Sequence, residues 1–244
     1  MRGVARAAAV TVTLALLAGL AFAPIVPAEA QATLSLPGTL PPEQRAKLEH
    51  LVKHAFASTQ MELEPYPARA PVFEYLLDHP EFASHLTRAL RAARYKIWRE
   101  TDGLWLDDGW GVKGRFNLLH AERGMRLMYA AGAYEQAMLP DIRGDAVVAI
   151  TYEFRPDGHG RTLAATAVKA FVQLDSRMLR TVGKMGGPLV QSKADREGRQ
   201  LLKVFAKVSR AIEDNPADVY RRVSERPDVP RPELEEFRRL LKLP

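Results

Sequence analysis

Hydrophobic and polar positions change period along this chain, first helical, then two, then helical again. From Pro41 to Ser58, PPEQRAKLEHLVKHAFAS spaces Leu48, Leu51, Val52, Ala55 and Phe56 as an amphipathic helix does. Met61 to Glu64 predict a short strand, after which Pro65, Pro67 and Pro71 break regularity. APVFEYLLDHPEFASHLTRALRAA then predicts two short helices broken at Asp78-His79-Pro80, with Pro80 suited to the first turn of the second.

Beyond Tyr95 the period is two. YKIWRE and GLWLDDGWGVKG predict strands meeting at Thr101-Asp102-Gly103, with a second turn at Asp107-Asp108-Gly109. VKGRFNLLH sets Val112, Gly114, Phe116 and Leu118 against Lys113, Arg115 and Asn117. MRLMYAAGAYE sets Met125, Leu127 and Tyr129 against Arg126 and Met128, after a turn at Glu122-Arg123-Gly124. In DAVVAITYEF, Val148, Ile150, Tyr152 and Phe154 share a side. RPDGHGR is a hairpin loop, and TLAATAVKAFVQL turns Ala164, Thr166, Val168, Ala170 and Val172 inward. Strands this close together, joined by short turns, imply an antiparallel sheet.

Asp175-Ser176 then caps a long helical region reaching about Asn215. Its apolar stripes are Met178, Leu179, Val182 and Met185, then Leu201, Val204, Phe205, Val208 and Ile212. Gly186-Gly187-Pro188 predicts a kink or a change of helix between them. Two further helical pieces follow, PADVYRRVSE and PELEEFRRLLK. In the second, Leu234, Phe237, Leu240 and Leu241 form a stripe suited to a partner or to folding back.

Composition adds a compartment. Arg2 and Arg6 precede an apolar run from Ala7 to Ala23, and Ala28-Glu29-Ala30 supplies a small-x-small cleavage site, so residues 1–30 read as a secretory signal with the mature chain starting at Gln31. The apolar run is shorter than the ~20 residues of a membrane span. The expectation is export, to the periplasm if the source is bacterial. Among 244 residues there is no cysteine, which excludes disulfides, thiolate metal sites and a cysteine nucleophile. The net charge of +6 suits transient contact with an anionic membrane surface, while export argues against nucleic acid as a partner.

Candidate chemistry is sparse. Glu100, Asp102, Asp107 and Asp108 crowd the tryptophan-bearing stretch, but Asp-Gly pairs belong to turns, and adjacent strand residues point to opposite faces. His50 and His54 share a helix face, yet the LVK between them lacks the glutamate of a metalloprotease motif. No nucleophile elbow, P-loop or dinucleotide fingerprint is present, and neither a metal nor a cofactor is expected. Trp98 and Trp105 flank one turn and suit either core packing or a pocket.

The order of strand, two short helices, a run of antiparallel strands and a long helix resembles the START-like (SRPBCC, helix-grip) superfamily. MELEPYPARAPVFEYLLDHPEFASHL, GDAVVAITYEF and RTLAATAVKAFVQLDSRMLRTVGKM carry the resemblance. It places a ligand-binding domain at 59–215, after an N-terminal helical extension at 31–58 and before a helical tail at 216–244. It implies an α+β fold, a curved antiparallel sheet packed around the long helix, with an apolar cavity between them. Trp98, Trp105, Phe116, Leu118 and Tyr129 would line that cavity from the first strands. Ile150, Tyr152, Phe154, Val168 and Val172 would line it from the later ones, and Met178, Val182 and Met185 from the helix. Three functions stay open. The first is an exported carrier of a hydrophobic, lipid-like molecule. The second is a cyclase- or hydrolase-like enzyme using Tyr129, Tyr152 or His120, and the third is a non-enzymatic partner-binding protein of the cell envelope.

Overall fold

A computed structural model of the chain describes residues 34–109, 111–136 and 139–244, with side chains described outside 134–142, 176–189 and 193. The expected signal segment therefore lies outside the described residues. The described residues form one compact unit.

Seven strands form one antiparallel sheet: β1 (Ala57–Pro67), β2 (Lys96–Glu100), β3 (Gly103–Asp107), β4 (Val112–Glu122), β5 (Met125–Gln136), β6 (Leu139–Pro156) and β7 (Thr162–Leu174). Their order across the sheet is β1-β7-β6-β5-β4-β3-β2. The helices are α1 (Pro42–Lys53), α2 (Ala70–Asp78), α3 (Pro80–Ala89), α4 (Ser176–Asp214), α5 (Pro216–Ser224) and α6 (Arg231–Leu240). A consecutive meander from β2 to β7, closed by pairing of β7 with β1 and followed by one long helix, is the helix-grip arrangement.

Proline punctuates the helices. Among the described residues, every helix except α4 carries it in the first turn, where no amide hydrogen is needed. Proline also sits at 65 and 67 without ending β1. That strand runs on to Pro67 because it lies at the sheet's edge and takes a register shift between Leu63 and Tyr66. It is thus longer than the short strand expected, and α1 is correspondingly shorter. Nor is α4 divided: the helix is continuous through Gly186-Gly187-Pro188, and packing along β1 and β7 outweighs the local cost of those residues.

Each sheet edge is blunted by a helix side chain. The Gln191 amide accepts from Ser58 N–H at 3.2 Å and donates to Ser58 O at 2.6 Å, in the manner of a neighbouring strand. On β2, Ser84 Oγ of α3 accepts from Ile97 N–H at 3.2 Å.

Helices pack on both sheet faces. On the inner face, α4 and α2 pack on Ile150, Tyr152, Ala164 and Val168 through Leu202, Ala206 and Phe73. On the outer face, Leu48 and Leu51 of α1 cover Leu127, Val147, Ala149 and Phe171. The tail folds back. Leu234, Phe237 and Leu241 join Val219 and Val223 in a third core with Val72, Phe82, Leu86, Val208 and Ile212.

A row of glycines crosses three strands. Gly114 pairs with Gly132, and Gly132 with Gly144. A Cβ on Gly132 would stand 2.6 Å from Lys113 O and 2.9 Å from Gly114 Cα, so the strands approach along this line more closely than any side chain allows. Such an approach is what a sharply curved sheet requires.

Candidate functional site

Strand register resolves the inner face into rows. Next to the glycine row, Phe116, Ala130, Ala146 and Val172 lie side by side across β4, β5, β6 and β7. The following row is Leu118, Met128, Val148 and Ala170. None of these eight apolar residues is buried; Leu118 is 41 % exposed and the rest are half-buried. One row further on, Arg126, Ile150 and Val168 are buried. The inner face therefore passes from packed core to incompletely covered apolar surface within a single residue pair along the strands.

These rows open into a cleft of about 260 Å³ at the β2–β4 end. Leu104, Phe116, Leu118 and Met128 form its sheet wall, Leu77, Asp78 and Pro80 its helical wall, and Arg99 and Asn117 complete the lining. Arg99 is held by Glu81 of α3 at 2.9 Å. By volume the cleft accepts one ring or a short acyl segment, at the small end of ligand sites.

Under its floor lies a buried cation. The Arg126 side chain is 6 % exposed and forms a bidentate pair with Asp78, Nε to Oδ1 at 2.7 Å and Nη2 to Oδ2 at 3.0 Å. Nη1 donates to Glu122 O, Met125 O and the Tyr152 hydroxyl, and that hydroxyl donates to Glu74 Oε1 at 3.2 Å. Burial works against the Arg126 charge, but Asp78 and Tyr152 together outweigh it and keep its pKa above the ordinary value. Burial likewise raises the Tyr152 pKa, with Glu74 adding to the rise against Arg126. With its donors committed in this way, Arg126 clasps α2 to the sheet rather than awaiting an anionic ligand.

The expected lining residues divide into four groups. Phe116 and Leu118 line the cleft, and Val172 continues the half-buried rows. Ile150, Tyr152 and Val168 are buried in the inner core, with Phe154 packed edge-on to Phe73 at 5.6 Å. The side chains of Met178, Val182 and Met185 lie outside those described. Tyr129, Trp98 and Trp105 correct the expectation, because all three stand on the outer side of the sheet.

Tyr129 is on the Leu127 side of β5, packed against the α1 cluster, with Lys47 Nζ 4.0 Å above its ring. Trp98 and Trp105 form a cross-strand stack at 6.4 Å on the face opposite Leu104. Their indole N–H groups donate to Glu100 at 2.7 Å and Asp102 at 2.9 Å. His120 lies beneath the N-terminal segment, Nδ1 3.2 Å from Thr39 Oγ1. The trio Tyr129, Tyr152 and His120 is thus split between two faces and does not converge. Asp107 and Asp108 act in a turn, accepting from Gly109 N–H at 2.8 Å and Val112 N–H at 2.9 Å. The His50 and His54 rings lie 4.2 Å apart and tilted, and no cluster of metal-ligating side chains gathers among the described residues.

The sequence pattern did not single out Arg126, Asp78 or Glu74. Its signal was an arginine alternating with apolar residues on a strand, where a charge on a covered face demands a counter-ion.

No known family profile and no curated protein matches the sequence. Similarity to solved structures is found. A hypothetical protein from Helicobacter pylori shares 10 % identity at TM-score 0.35, over 63 % of this chain and 85 % of that one. Ara h 8.0201 shares 12 % identity at TM-score 0.35, over 65 % and 100 %. Norcoclaurine synthase from Thalictrum flavum shares 15 % identity at TM-score 0.38, over 75 % and 98 %. Likeness this low carries no argument about ligand or activity. The helix-grip assignment rests on strand order and on the long closing helix, the architecture that the START-like resemblance implied.

Proposed function

We propose that the protein is an exported binder or carrier of a hydrophobic, lipid-like small molecule, held against the inner face of the sheet. The observation that carries this reading is the pair of half-buried apolar rows continuous with the cleft. Exposed apolar surface costs about 25 cal/mol per Å², and a fold that buries the next row completely has the means to cover it. A ligand of matching chemistry supplies the missing cover. Export rests on the composition of residues 1–30.

The test is native mass spectrometry of the protein from its own compartment, followed by solvent extraction and lipid analysis. A stoichiometric apolar molecule is expected, and Ala146→Phe, which fills one row, is expected to release it while the protein stays folded. A chain that arrives empty and takes up no fatty acid, phospholipid or polycyclic lipid would overturn the reading.

A further inference from the structure

On the solvent side of α4, Arg196, Arg199, Lys203, Lys207 and Arg210 follow one another at spacings of three and four residues, and all are exposed. They make one stripe about 21 Å long at 1.5 Å per residue. Several arginines elsewhere in the fold are tied to carboxylates, among them Arg69 to Glu213, Arg99 to Glu81, Arg115 to Asp102 and Arg126 to Asp78. Along the stripe, Lys207 donates to the carbonyl of Arg91 at 2.9 Å. Among the described residues, the other four have neither an ion pair nor a hydrogen bond. Like charges at i and i+4 destabilise a helix, and among the described residues the bond from Lys207 to Arg91 is the one contact that offsets this cost along the stripe.

Next to the stripe lies an open groove of about 350 Å³, where Lys203, Lys207, Arg210 and Asp214 surround Leu63, Ala206 and Ala211. We propose that this face of α4 docks the protein on an anionic lipid bilayer. A line of cations without carboxylate partners matches a plane of phosphate headgroups, and the apolar floor of the groove suits the glycerol and first methylenes below a headgroup. A nucleic acid would use the charges but not the floor. The proposal rests on the reading that the protein carries a hydrophobic ligand, which a bilayer would supply or receive.

The experiment uses the Ala32–Pro244 unit with vesicles of phosphatidylcholine, with and without phosphatidylglycerol, read by co-sedimentation, and native mass spectrometry for retained ligand on the same samples. Binding to the anionic vesicles alone is expected, weakening with added salt. The triple variant Lys203→Gln, Lys207→Gln, Arg210→Gln should reduce it about a hundredfold, because each cation near such a surface is worth roughly fivefold. The control pair Arg238→Gln, Arg239→Gln on α6 should leave it unchanged. Equal binding to neutral vesicles, an unaffected triple variant, or a preference for duplex DNA over vesicles overturns the proposal. Loss of vesicle binding with ligand retained separates it from the ligand reading, and an empty protein that still binds anionic vesicles overturns only that reading.

Discussion

The two faces of the sheet are built from the same strands and finished differently. On the outer face, Leu127 and Val147 are each fully buried under α1. Their chain neighbours Met128 and Val148, turned to the inner face, are only half-buried although the far longer α4 is on that side. Helix length is therefore not what closes a face. Twelve residues of α1 suffice where they seat Leu48 and Leu51 directly on the strands, while the inner face keeps two apolar rows open beside a line of glycines. The outer face behaves as structural core, and the inner face keeps its apolar surface in reserve.

Adjacent substitutions sharpen this contrast most. Leu127→Ala should cost about 4 kcal/mol, because it empties a fully enclosed site. Met128→Ala should cost about 1 kcal/mol, since part of its surface stays in water and truncation there leaves no enclosed cavity. Urea denaturation of the two variants is the measurement, and equal losses would show that the inner rows are packed as tightly as the outer core.

The clasp beneath the cleft gives the next largest effect. Asp78→Ala leaves Arg126 buried without its counter-ion and should cost about 3 kcal/mol. Arg126→Leu leaves behind an Asp78 side chain that is 41 % exposed and able to hydrate, so it should cost about half as much. The reverse order in thermal unfolding would mean that packing rather than charge holds α2 to the sheet.

The order of elements was readable because the periods are clean and proline marks the helix starts. The faces were harder, and β5 shows why. Both of its sides carry apolar residues, and alternation alone selected Met125, Leu127 and Tyr129 as the side facing the long helix. They do include the most buried residue of the strand, but under α1. The missing signal lay in the first helix: its stripe of Leu48, Leu51 and Val52 needs a sheet face to cover, and α4 already claims one. In β6 and β7 the even positions were placed on the inner face, as observed, because Thr151 and Glu153 in β6 and Lys169 and Gln173 in β7 mark the opposite side. The clasp of Arg126 joins positions 48 residues apart, a distance that no local pattern encodes.

A smaller effect is expected at the glycine row. Gly132→Ala puts a methyl group against Lys113 O and Gly114 Cα, backbone atoms that cannot swing away, and should cost about 2 kcal/mol. If this line provides the curvature that leaves the inner rows open, the variant should also lose affinity for an apolar fluorescent probe, whereas Leu127→Ala should not. Stability lost with unchanged probe binding would separate the glycines from the site.

The smallest effect concerns the helices that flank the inner face. His85 of α3 is nearly buried; its Nδ1 faces Arg88 Nη2 at 2.9 Å and Asp228 Oδ2 at 3.3 Å, with Arg226 and Lys96 also in its field. Burial holds its pKa below the ordinary 6.5, Arg88, Arg226 and Lys96 add to the depression, and Asp228 opposes it. The folded protein therefore binds fewer protons at this site than the unfolded chain does, in the window between the depressed value and 6.5. Stability should be flat in this respect above that window and fall as acid is added through it. Asp228, whose own pKa is lowered, adds a further loss only in the carboxylate range below. Because α3 anchors the tail helices through Phe82 and Phe237, acid should loosen the inner-side helices before it touches α1 on the outer face. His85→Gln keeps an acceptor for Arg88 but cannot take up a proton, so its urea midpoint should change less between neutral and mildly acidic buffer than that of the parent. Identical pH dependence in the two proteins would remove His85 from the account and leave the inner-side helices as insensitive to acid as the outer core.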